Sequence, residues 1–107
     1  MAWLLLLLAI GSEITGTLAL KASDGFSRWY PSVIVVLGYA AAFVFLGVAL
    51  KSVPVGIAYA IWSGLGTAGA AAGALLIFGE RLSVLAVAGI VVVIVGVVLV
   101  TLGQEGV

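Results

Sequence analysis

Four long apolar runs, separated by three short polar breaks, occupy almost the whole of this chain. They cover about residues 2–20, 32–50, 55–78 and 83–102, and the only charged residue inside any of them is Glu13. A helix rises ~1.5 Å per residue, so the shortest run spans ~28 Å, close to the ~30 Å of a bilayer's hydrocarbon core. In lipid, backbone N–H and C=O groups find partners only within helices or closed barrels. These runs are too long and too uniformly apolar for barrel strands, which alternate. The pattern predicts an all-α membrane protein with four transmembrane helices, forming a single domain over residues 1–107.

The breaks are Lys21 to Tyr30, Lys51-Ser52 and Gly79-Glu80-Arg81. Pro31 and Pro54 open the second and third helices, where a missing N–H costs nothing. A short tail, Gly103 to Val107, follows the fourth helix. Breaks this short force neighbouring helices to run antiparallel, giving a compact up-down bundle. Four tightly packed helices leave little room for a solute pathway, so transport requires an oligomer. Lys21, Arg28 and Arg81 fall on one side of the membrane, and Lys51 with both termini on the other. Positive charge sets orientation, and this bias is weak enough for the chain to insert both ways.

Composition narrows the function. Hydrophobic residues make up 65% of the chain and charged residues 7%, against ~25% charged in a soluble domain. The net charge is zero, so nothing points to nucleic acid as a partner. The chain has no cysteine and no histidine, which removes disulfides, thiolate chemistry and the usual transition-metal ligand sets. No metal site is expected. One intramembrane acid without histidine or cysteine offers no acid–base pair, so the chain does not read as an enzyme. The N-terminus runs straight into the apolar segment without a positive n-region and reads as a retained helix.

Glu13 lies near the middle of the first helix, and so near the membrane midplane. A carboxylate there costs several kcal/mol unless it is protonated, paired or facing water, and such residues mark ion or substrate paths. Leu6, Ala9, Ile10, Gly16, Thr17 and Leu20 share its face by helical spacing. Gly16 is expected to leave open space one turn beyond the carboxylate. The alternative is a structural acid, neutral and hydrogen-bonded to a neighbouring helix. No second intramembrane charge exists in the chain, so the expected charged neighbour of Glu13 is Glu13 of another copy. Tyr39, in the middle of the second helix, needs a hydroxyl partner in lipid, and a carboxylate would serve.

The third helix carries Tyr59 and Trp62 on one face at i, i+3. Trp62 lies ~10–12 Å inside the helix, deeper than the interfacial belt that accounts for Trp3, Trp29 and Tyr30. A stacking wall for an organic cation is the functional reading of Trp62, and plain packing the other. Gly64 and Gly66 suggest a hinge, with Gly69 to Gly73 as a close-packing GxxxG pattern. Gly89, Gly96 and Gly103 recur every seven residues in a valine-rich fourth helix, the pattern of a self-packing face.

Together these residues resemble the small multidrug resistance family of proton-coupled exporters, over nearly the whole chain. The resemblance is carried by Glu13, by Leu20-Lys21 with Gly25-Phe26-Ser27-Arg28 and Pro31-Ser32, and by the string from Pro54 to Gly64, Pro-Val-Gly-Ile-Ala-Tyr-Ala-Ile-Trp-Ser-Gly. The Gly79-Glu80-Arg81-Leu82 turn and Gly89 to Gly96 complete it. It implies a multi-pass protein of the bacterial inner membrane that assembles as an antiparallel, dual-topology homodimer. Some members work as heterodimeric pairs, so a paired partner is a second arrangement. It implies that Glu13 binds protons and substrate in turn, with protons as coupling ion and no other cofactor. It places Ile10, Ser12, Gly16, Tyr39, Phe43, Tyr59 and Trp62 at the substrate pocket, and Gly89 and Gly96 at the dimer interface.

Guanidinium exporters of this fold commonly carry glycine three residues before the glutamate, tryptophan three after it, and serine before the helix 2 phenylalanine. This chain has Ile10, Gly16 and Ala42 at those places, and it has Tyr39, as exporters of quaternary ammonium and other lipophilic cations do. Ala42 departs from both patterns and removes a hydrogen-bonding group. The expected function is therefore proton-coupled antiport of lipophilic organic cations. The rivals are a guanidinium exporter of the same fold and a proton-binding ring subunit of a rotary motor. A substrate panel separates the first, and oligomer size the second.

Overall fold

The computed structural model describes residues 1–105, and all regular structure among them is helical. The elements are α1 (Ala2–Ala22), α2 (Trp29–Ala49), α3 (Val55–Phe78) and α4 (Val84–Glu105). Each is long and apolar enough to cross a membrane. The chain divides into two compact units, Met1–Ser52 and Val53–Val107, each a helical hairpin.

The helix ends follow local chemistry. α1 continues through Lys21 and Ala22, and α2 begins at Trp29, so the first break shrinks to residues 23–28. Pro31 is then the third residue of α2, not its opening residue. It is tolerated because the first-turn N–H groups have no intrahelical acceptor. Pro54 caps α3 in extended geometry (ψ 142). Gly79 ends α3 with φ 67, a left-handed conformation that glycine takes without strain, and the Glu80 N–H reaches back to the Ala74 carbonyl at 3.2 Å. The expected tail from Gly103 is helical as far as Glu105, and residues 106–107 lie outside the described residues.

In the first hairpin, Ser23 is the knot of the turn and is fully buried. Its hydroxyl donates to the Leu20 carbonyl at 2.6 Å and accepts from the Phe26 N–H at 3.0 Å. Its own carbonyl accepts from the Arg28 N–H at 3.0 Å. These bonds hold three successive residues, Asp24, Gly25 and Phe26, at positive φ.

α1 and α2 pack along an apolar seam. Leu6, Ala9, Ile10 and Gly16 are buried on α1, and Pro31, Val35, Ala42 and Ala49 on α2. The last three recur every seven residues, the spacing that keeps one face of α2 on its partner helix. The closest approach is backbone to backbone. A Cβ added at Gly38 would lie 2.9 Å from the Ser12 carbonyl oxygen and 3.1 Å from the Gly16 Cα. Gly38→Ala should therefore destabilise the hairpin. Alanine gains ~0.5–1 kcal/mol of helix preference over glycine, but overpacking against unyielding backbone costs about 1–3 kcal/mol. Gly47, on the same helix, has nothing within 4 Å of its Cβ position and serves as control. Thermal unfolding in detergent should rank Gly38→Ala below wild type and Gly47→Ala at or above it. Equal melting of the two variants would show that the seam yields.

In the second hairpin, α3 runs unbroken through Gly64 and Gly66, both buried. A Cβ at Gly64 would lie 2.6 Å from Val97 Cγ2, so this glycine is the contact point with α4. α4 buries none of its described side chains. Gly89 and Gly96 have nothing within 4 Å of their Cβ positions, leaving the heptad glycine stripe open.

Candidate functional site

Glu13 lies 11 residues into α1 and Tyr39 ten residues into α2. Both are therefore ~15–17 Å from their helix starts, at mid-height of helices ~31 Å long. An antiparallel hairpin brings these midpoints together, and the Gly16–Gly38 approach lets the side chains meet across the seam. Glu13, Thr17 and Tyr39 are all half-buried.

The polar contact at this level is a chain of three groups. The Thr17 hydroxyl donates to Glu13 Oε1 at 2.9 Å. Thr17 Oγ1 is also 2.8 Å from the Tyr39 hydroxyl. Thr17 is one helical turn after Glu13, so the two share a face. The expected direct pairing of Tyr39 with a carboxylate is thus realised through an intervening hydroxyl.

The space expected beyond Gly16 is filled. A Cβ at Gly16 would meet Tyr39 Cδ1 at 3.3 Å and Cε1 at 3.4 Å, so the phenol ring lies on the glycine. The cause is the close helix contact, which carries Tyr39 over the α1 backbone. Gly16 is a floor for the Tyr39 ring and not a vacancy.

The other pocket candidates are distributed as follows. Ile10 is buried, and Ala42 is 1% exposed, its small side chain serving the seam. Ser12 directs its hydroxyl to the Leu8 carbonyl at 2.8 Å, within its own helix, and meets α2 through its backbone oxygen. Phe43 is 67% exposed. Tyr59 and Trp62 belong to the second unit, on α3, where Tyr59 is 72% exposed and Trp62 half-buried. An open groove of the first unit, lined by Phe26, Trp29, Val33 and Val36, sits at the turn end of α2 and includes none of the predicted site residues.

Two residues at this level carried no assigned role in the sequence. Thr17 had a usable signal, a hydroxyl four residues from the intramembrane acid. Gly38 had none, because its role depends on where α1 comes to lie.

The arrangement offers one ionisable acceptor, two hydroxyls that can pass a hydrogen bond to it, and an aromatic ring beside it. That set can hold a proton or, when ionised, attract a cation.

The family model described as Small Multidrug Resistance protein matches residues 1–93. The chain is similar to the quaternary ammonium compound-resistance protein QacE of Escherichia coli, 46% identical over 94% of this chain and 91% of the relative. QacF of Klebsiella aerogenes, also a quaternary ammonium compound-resistance protein, is 48% identical over the same shares. The multidrug resistance protein EbrA of Bacillus licheniformis is 45% identical over 94% of this chain and 95% of its own length.

Proposed function

Because the chain belongs to the Small Multidrug Resistance family, we propose that it is a proton-coupled antiporter exporting lipophilic and quaternary ammonium cations. It is a multi-pass membrane protein, and in bacteria such a protein resides in the inner membrane. The observation that carries the reading is Glu13, a half-buried carboxyl at mid-height of α1, bonded to Thr17. The quaternary ammonium and multidrug resistance names of relatives near half identity support the substrate class.

The working unit is an antiparallel homodimer with two Glu13 carboxyls near the midplane. Protons and cation compete for the same two groups. Alternating access follows when the loaded dimer exchanges between inward- and outward-open states and the empty one does not. The chain is a transporter and not an enzyme, with the proton as its only coupling species. The open glycine stripe of α4, Gly89 and Gly96, supports a helix-to-helix contact with the second copy.

Transport in proteoliposomes containing this chain alone, across a cation panel, tests the reading. Tetraphenylphosphonium and quaternary ammonium cations should be carried far better than guanidinium. A small planar ion needs several fixed acceptors to replace its water, and Ala42 supplies none. Trp62→Ala should weaken binding of an aromatic cation about 2- to 30-fold, as expected for losing ~0.5–2 kcal/mol of cation–π attraction. Strong guanidinium transport without binding of the bulky cations would overturn the substrate class and leave the role of Glu13 standing.

A further inference from the structure

We propose that Thr17 is a positioning residue that ties the Tyr39 hydroxyl to the charge of Glu13, so that the α1–α2 seam distinguishes a proton-loaded site from a cation-loaded one. This inference rests on the reading of Glu13 as the exchanging group. Thr17 Oγ1 sits 2.9 Å from Glu13 Oε1 and 2.8 Å from Tyr39 Oη. A threonine hydroxyl has a single proton to give. An ionised Glu13 can only accept, so Thr17 donates to it and Tyr39 must donate to Thr17. The order is then fixed from α2 to α1: Tyr39 O–H to Thr17, Thr17 O–H to Glu13.

Hydrogen bonds to a charged acceptor are roughly twice as strong as neutral ones, and chains of them reinforce one another. An ionised Glu13 therefore draws the Tyr39 hydroxyl across the seam. A proton arriving on Oε1 reverses the bond to Thr17 and turns the Thr17 proton toward Tyr39. A proton arriving on the other oxygen leaves the order but removes the charge assistance. In both cases the bond between Thr17 and Tyr39 loses its charge assistance, and in the first its direction reverses. A bound organic cation keeps Glu13 ionised and the chain intact.

The Tyr39 ring is already placed for this by its contact with Gly16 and by the backbone approach at Gly38. Within the α1–α2 hairpin little else can drive it. Between Trp29 and Ala49, α2 has no acidic or basic side chain, and its only other titratable group is Tyr30 at the far end. On α1, Lys21 lies two turns beyond Glu13, and Asp24 and Arg28 lie in the turn after it.

The experiment uses the full chain in lipid, with tyrosine labelled at Cζ and the Tyr39 resonance assigned by its loss in Tyr39→Phe. The resonance is followed against pH, beside tetraphenylphosphonium binding on the same samples. In wild type, Tyr39 should shift over the pH range in which binding falls. Thr17→Val keeps the branched shape without the hydroxyl, and its Tyr39 resonance should stay flat while binding still responds to pH. Thr17→Ser should restore the shift. A wild-type Tyr39 resonance that does not move overturns the inference whatever the variants do. So does a Thr17→Val resonance that moves like wild type. Pronounced pH-dependent binding in Glu13→Gln would instead overturn the role of Glu13 itself, so the two failures are distinct.

Discussion

Glu13→Gln should reduce proton-driven uptake of tetraphenylphosphonium into proteoliposomes to the level of empty vesicles. The amide keeps the side-chain length and a carbonyl oxygen, so Thr17 can still donate to it as it does to Glu13 Oε1. Glutamine and glutamate have about equal helix preference, so α1 should form as before. On the proposed mechanism, what is lost is the proton exchange and the charge that attracts the cation. The driving force shows the size of the effect. With two protons entering for each monovalent cation leaving, one pH unit supplies ~2.7 kcal/mol, and one net charge moving down ~100 mV adds ~2.3 kcal/mol. Together, roughly 5 kcal/mol supports a concentration ratio of ~10³–10⁴ at ~1.4 kcal/mol per decade. Without a titrating group at residue 13 the proton share of that ratio vanishes. Glu13→Asp should retain binding with poor turnover, because the shorter arm draws the carboxylate back from Thr17 and from the substrate. Uptake by the Gln variant at the wild-type rate, driven by a pH gradient, would sink the mechanism.

Fixing the orientation of the chain should abolish activity almost as completely. Four spans place Lys21, Arg28 and Arg81 on one side and Lys51 on the other. That excess is small, and orientation follows the count of lysine and arginine in short loops. Two arginines added at the C-terminal tail strengthen the Lys51 side. Two added beside Arg28 strengthen the opposite side. Each variant alone should populate a single orientation and lose resistance to a quaternary ammonium compound in cells. Expressed together they should restore it, because the proposed antiparallel pair needs one copy of each. Full resistance from a single variant, with its orientation verified by residue accessibility at each face, contradicts the antiparallel dimer.

Much of the fold was legible because lipid leaves few choices. Apolar runs of membrane-spanning length must be helices, so the four elements and the identity of the turns followed from the sequence. α3 begins and ends as expected because Pro54 cannot continue a ladder backwards and Gly79 accepts the left-handed closure. Where the boundaries moved, at Ala22 and Trp29, the cause was Ser23. One buried hydroxyl closes the turn in six residues and frees the flanking ones for helix.

The height of a residue in the membrane is likewise set by counting, since rise per residue is constant. Glu13 and Tyr39 at mid-span were fixed in this way. Which way each helix turns about its own axis is another matter. In a soluble helix the polar stripe reveals it. Here nearly every face of α1 and α2 is apolar, so no stripe marks the seam. Only the packed hairpin decided that Gly38 meets the Ser12 carbonyl and Gly16, and that Tyr39 covers Gly16. The same packing put Thr17 between the carboxylate and the phenol, while the neighbouring Ser12 hydroxyl turned back to its own helix. The sequence by itself determined that a lone acid would lie at mid-membrane among small residues. The groups that acid meets were decided by a backbone contact between two glycines, which only the folded pair of helices brings together.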